Sequence, residues 1–180
     1  MILHTIRNVI NDSTLFFSIL QTFYREHAAG PHVTTDDFKK VVERLTGQSW
    51  DKFFEAYLYN RKVPVLKWYY GSYDFGTDTG NGKSVAVPFV VAKWINVPEG
   101  FSMPVTLSCK DSGMSEIIKV STNAKYYYLK KFNSCDQLSC NLKRSYFMAE
   151  SGSEILSEAK PATPDTGNND VIATSAEQTP

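Results

Sequence analysis

Apolar positions recur at helical spacing up to about residue 60 and at strand spacing after Pro64, so the chain reads as α+β. Met1, Ile2, Leu3, Ile6, Val9 and Ile10 form a first stripe with no Ser, Thr, Asp or Asn ahead of it. A helix begun without a cap leaves orphan backbone donors, so the stripe is expected to continue a helix that starts upstream. Asn11 and Asp12 cap a second helix with Leu15, Phe16, Ile19, Leu20 and Phe23 on one face. Arg25 and His27 fill its last turn, where positive charge suits the helix dipole, and Gly30-Pro31 stops it. Thr34-Thr35 caps a third helix, with Asp36-Asp37 in its first turn, Phe38, Val41, Val42 and Leu45 as its stripe, and Gly47 at its end. A fourth opens at Ser49, puts Trp50, Phe53, Phe54, Tyr57 and Leu58 on its buried side, and ends near Asn60. Short helices on short connections predict an antiparallel cluster.

Strands are expected at 65–70, 85–94, 105–109, 117–121, 126–131 and 142–148, with 71–83 as a loop rich in Gly, Asp, Thr and Ser. Pro88 suggests an edge or a bulge in the second of them. The expected architecture is a helical part over 1–62, an antiparallel β-sandwich of about six strands over 63–148, and an acidic tail over 149–180. That tail lacks aromatics and is expected to be disordered, because it cannot bury enough surface to offset its ordering entropy.

Composition adds three limits. Residues 1–148 hold 18 Lys and Arg against 13 Asp and Glu, a mild bias with no Arg-rich stripe or phosphate-cradling Gly loop, so no nucleic-acid partner is expected. No apolar run reaches the roughly 18–20 residues of a membrane span, and His4, Arg7 and Asn8 break the N-terminal run before a signal-peptide core can form. The three cysteines, Cys109, Cys135 and Cys140, define no disulfide framework. Cys135 and Cys140 could pair across a loop in an oxidising compartment, or all three could be small, partly buried thiols.

Several segments carry a resemblance. Met1-Ile2-Leu3-His4-Thr5-Ile6-Arg7 resembles the ML-H-x-LR helix of aminopeptidase N-like zinc metallopeptidases. Val33-Thr34-Thr35-Asp36-Asp37-Phe38 is similar to a helix start of that family. Leu45-Thr46-Gly47-Gln48-Ser49-Trp50-Asp51-Lys52-Phe53-Phe54 is similar to a later Gly-containing segment. Tyr57-Leu58-Tyr59-Asn60 and Pro64-Val65-Leu66 stand where the family has its Gln-Trp-Leu and a proline-led strand, with Tyr57 replacing the Trp. The order and spacing hold over roughly residues 1–70. The resemblance implies that this chain is the C-terminal piece of a larger peptidase with a thermolysin-like catalytic domain, plausible for the periplasm or cell envelope, that removes N-terminal residues from peptides. In such a parent, zinc held by His-Glu-x-x-His and a second Glu polarises the scissile carbonyl and activates water. A catalytic Tyr lies in a Tyr-x-Lys-Gly segment just before the helix that Met1 enters. None of these motifs occurs here, so the resemblance assigns this chain no catalytic residue, no metal ligand and no cofactor of its own. An apolar face on the first two helices is expected to meet the missing catalytic half or a second copy. The alternative is a stand-alone, non-catalytic module that docks a protein partner.

Other constellations have plainer readings. His4, His27 and His32 could supply zinc ligands, but Gly30-Pro31 separates the last two and no carboxylate sits at metal spacing, which leaves helix-end and packing roles. Cys135 and Cys140 could be half a zinc site, though their spacing is wide and no second pair exists. Tyr126-Tyr127-Tyr128 between Lys125 and Lys130-Lys131 could stack ligands, or be a strand with Tyr at β-favoured positions. Trp68-Tyr69-Tyr70 and Trp94 are expected at the seam between helices and sandwich. Asp36 and Asp37, as neighbours on a helix, point apart and serve the dipole rather than acid chemistry.

Overall fold

The computed structural model describes residues 2–30, 32–77, 84–129, 131–132, 135, 138–140, 149–151 and 170–172. Helix α1 spans Ile2–Ile10 and α2 spans Ser13–His27. Asn11 joins them at φ 53°, a left-handed conformation that Asn tolerates, and its N–H closes α1 on the Arg7 carbonyl at 3.0 Å. Asp12 then caps α2, its carboxylate accepting the Leu15 N–H at 3.0 Å. Helix α3, Thr35–Thr46, starts with a full capping box. Thr34 Oγ1 accepts the Asp37 N–H at 3.2 Å, and the Asp37 carboxylate accepts the Thr34 N–H at 2.9 Å. Gly47 ends it at φ 69°, where a side chain would be strained.

The fourth helix departs from expectation. Helix α4 spans only Asp51–Phe54 and runs into a π-helical turn over Glu55–Tyr59, closed by the Asn60 N–H on the Glu55 carbonyl at 2.9 Å. The wider turn rotates later residues off the 3.6-residue stripe. Phe53, Phe54 and Ala56 are buried, but Leu58, expected inside, is exposed.

Among the described residues eight strands follow: β1 Val65–Thr77, β2 Ser84–Ile95, β3 Ser102–Cys109, β4 Ser115–Ser121, β5 Lys125–Tyr128, β6 Leu138–Cys140, β7 Ala149–Ser151 and β8 Asp170–Ile172. They form a five-stranded sheet in the order β7-β1-β2-β5-β8 and a three-stranded sheet in the order β4-β3-β6. Among the described residues the pairings are antiparallel except that of β1 with β7. The α+β architecture of helices followed by small antiparallel sheets is therefore as expected. The strand expected at 142–148 lies outside the described residues, as does most of 149–180, within which β7 and β8 add short strands to the sheet edges.

The loop expected over 71–83 is corrected in its first part. Residues Gly71 to Asp74 continue β1, pairing with Phe89 to Ala86. Gly71 suits a strand here because the Phe89 ring lies 3.0 Å from where a Cβ would be. Pro88 also differs from expectation: β2 is an interior strand. Proline has no N–H to give, but the Pro88 carbonyl is used, accepting the Leu129 N–H at 2.9 Å just past the end of β5.

The two sheets face each other. Alternation sends Leu66, Val90, Ala92, Trp94 and Tyr127 inward from one, and Met103, Val105, Leu107, Cys109, Ile118 and Val120 inward from the other. The same continuous core takes in Ile6, Phe16, Ile19, Val41, Val42, Phe53 and Phe54 of the helices. Burying each such side chain contributes roughly 1.5–3 kcal/mol. Helices and sheets are further joined by Tyr57 Oη on the Met103 sulfur at 3.7 Å and by Asn60 Nδ2 on the Asn96 carbonyl at 2.9 Å.

Candidate functional site

The histidines do not converge. His4 and His32 are exposed, at the start of α1 and in the α2–α3 connection. His27 finishes α2: its Nδ1–H donates to the Phe23 carbonyl at 3.0 Å and its ring lies 4.7 Å from the Phe23 ring. This is the helix-end role. Among the described residues, the group of three candidate metal ligands is instead Cys109, Asp111 and Cys135. Its two sulfurs are bonded to each other, which leaves no thiolate ligand, and it does not match the His-Glu-His chemistry of a peptidase zinc.

The disulfide corrects the expectation for the cysteines. Cys135 pairs with Cys109, at a Cα separation of 5.8 Å, and not with Cys140. Strand pairing decides this. Strand β6 lies beside β3 with Leu107 opposite Cys140 and Cys109 opposite Leu138, which leaves Cys135, just before β6, beyond the last paired residue of β3. Cys140 keeps its thiol and is buried in the sandwich. Tyr70 Oη from the larger sheet donates to the Cys135 carbonyl at 2.5 Å, so Cys135 is tied to both layers.

The tyrosine run is not a stacking strip. Tyr126, Tyr127 and Tyr128 are 2%, 5% and 9% exposed, so both faces of β5 are covered. Tyr126 packs on Phe89 at 5.5 Å, and burial raises its phenol above the usual value of 10.0. Tyr127 Oη donates to the Lys119 carbonyl at 2.8 Å. Trp94 is fully buried, edge-on to Phe101 at 6.0 Å, and Tyr70 spans the two sheets. Trp94 lies in, and Trp68 and Tyr70 pack against, the core that sandwich and helices share.

Asp37 belongs to the α3 cap. Hydrogen bonds from the Thr34 side chain and backbone hold its carboxyl below the usual 3.8. Asp51 is likewise lowered, first by the hydrogen bond from Lys39 and then by that from Ser49.

Two surface features escaped the sequence reading. A cleft of about 400 Å³ opens between the helices and the smaller sheet, lined among others by Val9, Trp50, Phe53, Met103, Pro104 and Lys119. Ser49 on its wall donates to the Asp51 carboxylate at 3.0 Å, and the described residues lining the cleft include no histidine. The cleft could have been found only by knowing how β3 lies on α4. The exposed part of the π-helical turn, Leu58 and Tyr59, is the second.

The stripes expected on the first two helices turn inward, with Ile6, Phe16 and Ile19 buried in the common core, and Leu3, Phe17 and Tyr24 are large apolar side chains of α1 and α2 that reach solvent. Leu3 and Phe17 are each 49% exposed and Tyr24 is 70% exposed. Phe17 and Tyr24 are two turns apart on one side of α2. The Arg7 guanidinium lies over the Phe17 ring at 5.4 Å, held by its hydrogen bond to Ser13 Oγ at 3.0 Å. Among the described residues, no helix is long and apolar enough to cross a membrane. In comparisons with known proteins, no family model and no curated protein matches the chain.

Proposed function

We propose that this chain is the C-terminal portion of an aminopeptidase N-like zinc metallopeptidase, and that it packs beside the catalytic domain and steadies it. The supporting observation is the ordered succession of family-like segments. Each falls on a defined structural job: the α1 helix, the capping box of α3, the Gly47 stop with the Trp50–Phe54 turn, and the entry into β1 at Val65. The exposed Leu3, Phe17 and Tyr24 supply a face on which a catalytic half would rest, and burying about three such side chains is worth several kcal/mol.

In the parent, zinc would polarise the substrate carbonyl and activate water. The residues here would contribute rigidity. Val41, Val42, Phe53 and Phe54 hold the helices to the sandwich, and so fix the angle at which α1 meets its neighbours. The same exposed face also favours the second reading, a stand-alone module that docks a protein partner without catalysis.

The coding sequence upstream of Met1 separates the two. The peptidase reading expects, in frame, Tyr-x-Lys-Gly just ahead of Met1 and His-Glu-x-x-His further upstream. An in-frame stop codon close to Met1, with no such motifs, overturns it. Stoichiometric zinc and hydrolysis of an aminoacyl-anilide by the purified 180-residue chain would overturn both readings.

A further inference from the structure

The small sheet brings all three cysteines of the chain into one inward-facing neighbourhood. Cys109, Cys135 and Cys140 are 1%, 5% and 9% exposed. Cys109 and Cys140 belong to adjacent strands, β3 and β6, and their rows are offset by two residues: Cys140 opposes Leu107, and Cys109 opposes Leu138. Residues two apart on a strand share a face, so the Cys140 sulfur lies on the same side of the sheet as the Cys109–Cys135 bond. Diagonal neighbours of this kind are about 7–8 Å apart at Cα, and a disulfide needs about 4.4–6.8 Å, so a shift of about 1–2 Å brings them within bonding range.

Strand β6 is built to make such a shift. It has three residues, sits at the edge of its sheet, and among the described residues pairs only with β3. Short edge strands open locally at little cost in free energy. A second covalent tie does not hold it, because the Cys109–Cys135 link attaches before β6 begins.

From this geometry we infer that the cluster is a thiol–disulfide exchange site, in which Cys140 displaces Cys135 from Cys109. The step balances without an outside oxidant. The Cys140 thiol loses its proton, and its thiolate attacks the Cys109 sulfur. A Cys109–Cys140 bond forms, the Cys109–Cys135 bond breaks, and Cys135 leaves as a thiolate that takes up the proton. Loop closure favours neither product, since the two loops differ by only a handful of residues. The exchange moves the thiol from an inward position on β6 to Cys135, and releases the smaller sheet from the segment that Tyr70 holds to the larger one.

The test uses the full oxidised chain without added thiol. Incubation at pH 7 and at pH 8 is stopped by acid, thiols are alkylated, and the pairing is mapped by proteolysis and mass spectrometry. A Cys109–Cys140 population with an alkylated Cys135 is expected within minutes to hours. It should appear close to tenfold faster at the higher pH, because the thiolate attacks. A second measurement uses Cys135→Ser with oxidised glutathione, which should close Cys109–Cys140 within the folded monomer, while Cys140→Ser keeps the original bond throughout. The inference is overturned if the parent retains only Cys109–Cys135 after a day at pH 8, if the new bond is Cys135–Cys140, or if folded Cys135→Ser yields only mixed or intermolecular disulfides.

Discussion

The stretch from Ile2 to Tyr59 and the longer stretch from Val65 to Cys140 are tied together over different distances. In the first, the decisive polar contacts are local: Asp12 with Leu15, Thr34 with Asp37, and Gly47 with Glu43. In the second they are remote. Tyr70 reaches Cys135 across 65 positions, and the disulfide spans 26. A local cap stabilises one helix end and can be lost piecemeal. A remote tie constrains much of the unfolded chain, so its loss is felt by the whole sandwich. The two stretches nevertheless share one core, which makes the contrast open to experiment.

The largest effect is expected from Cys109→Ser with Cys135→Ser. For a loop of this length, loop-closure entropy assigns the bond about 3.5 kcal/mol. Urea titration should show the midpoint falling with little loss of helical ellipticity in the native baseline. Equal stability with and without the bond would erase the contrast.

Next comes Ile6→Ala, which removes a fully buried side chain that joins α1 to the common core. A loss of about 3 kcal/mol is expected. If the core is continuous, tryptophan fluorescence and far-ultraviolet ellipticity should report one coincident transition. Separate transitions would mean that the two halves unfold independently.

A local change should be smaller. Thr34→Ala removes half of the capping box and should cost about 1 kcal/mol, read from the same titration. A loss as large as that of the core variant would contradict the reading of the helical half as locally held.

The smallest effect is a pH dependence. The folded-state value of Asp37 is lowered by Thr34, so its contribution is present above the usual 3.8 and fades as pH falls through the lower folded value. Asp37→Asn should therefore destabilise at pH 7 and match the parent under strongly acidic conditions. A deficit that grows on acidification would reverse the assigned sign.

Legibility in the sequence follows the same division. Asp12, Thr34, Asp37 and Gly47 could be placed because each acts on backbone within four residues of itself. Leu58 was misplaced because the choice between an α- and a π-turn at Glu55 depends on packing and not on the local stripe. In the sandwich, the positions of β2 to β5 were visible from β-branched and aromatic runs. The continuation of β1 past Gly71 was not, since it depends on a Phe89 ring from the opposing strand. The disulfide partner was likewise invisible: Cys135 is near Cys140 in sequence, but strand register carries it to Cys109. As for the candidate surface, Leu3 stands in the first stripe, but the exposure of Phe17 and Tyr24 was not legible, since both lie off the stripe of α2. Nor was the cleft beside Met103, because its walls come from segments about fifty residues apart.

One hydroxyl has a consequence for how the molecule behaves in company. Strand β4 borders its sheet and shows Ile117 to solvent, with Val120 and Ile118 turned into the core. Tyr127 Oη donates to its Lys119 carbonyl from the other layer. That bond fastens the border strand to the larger sheet, so β4 is harder to peel away and offer to a neighbouring molecule.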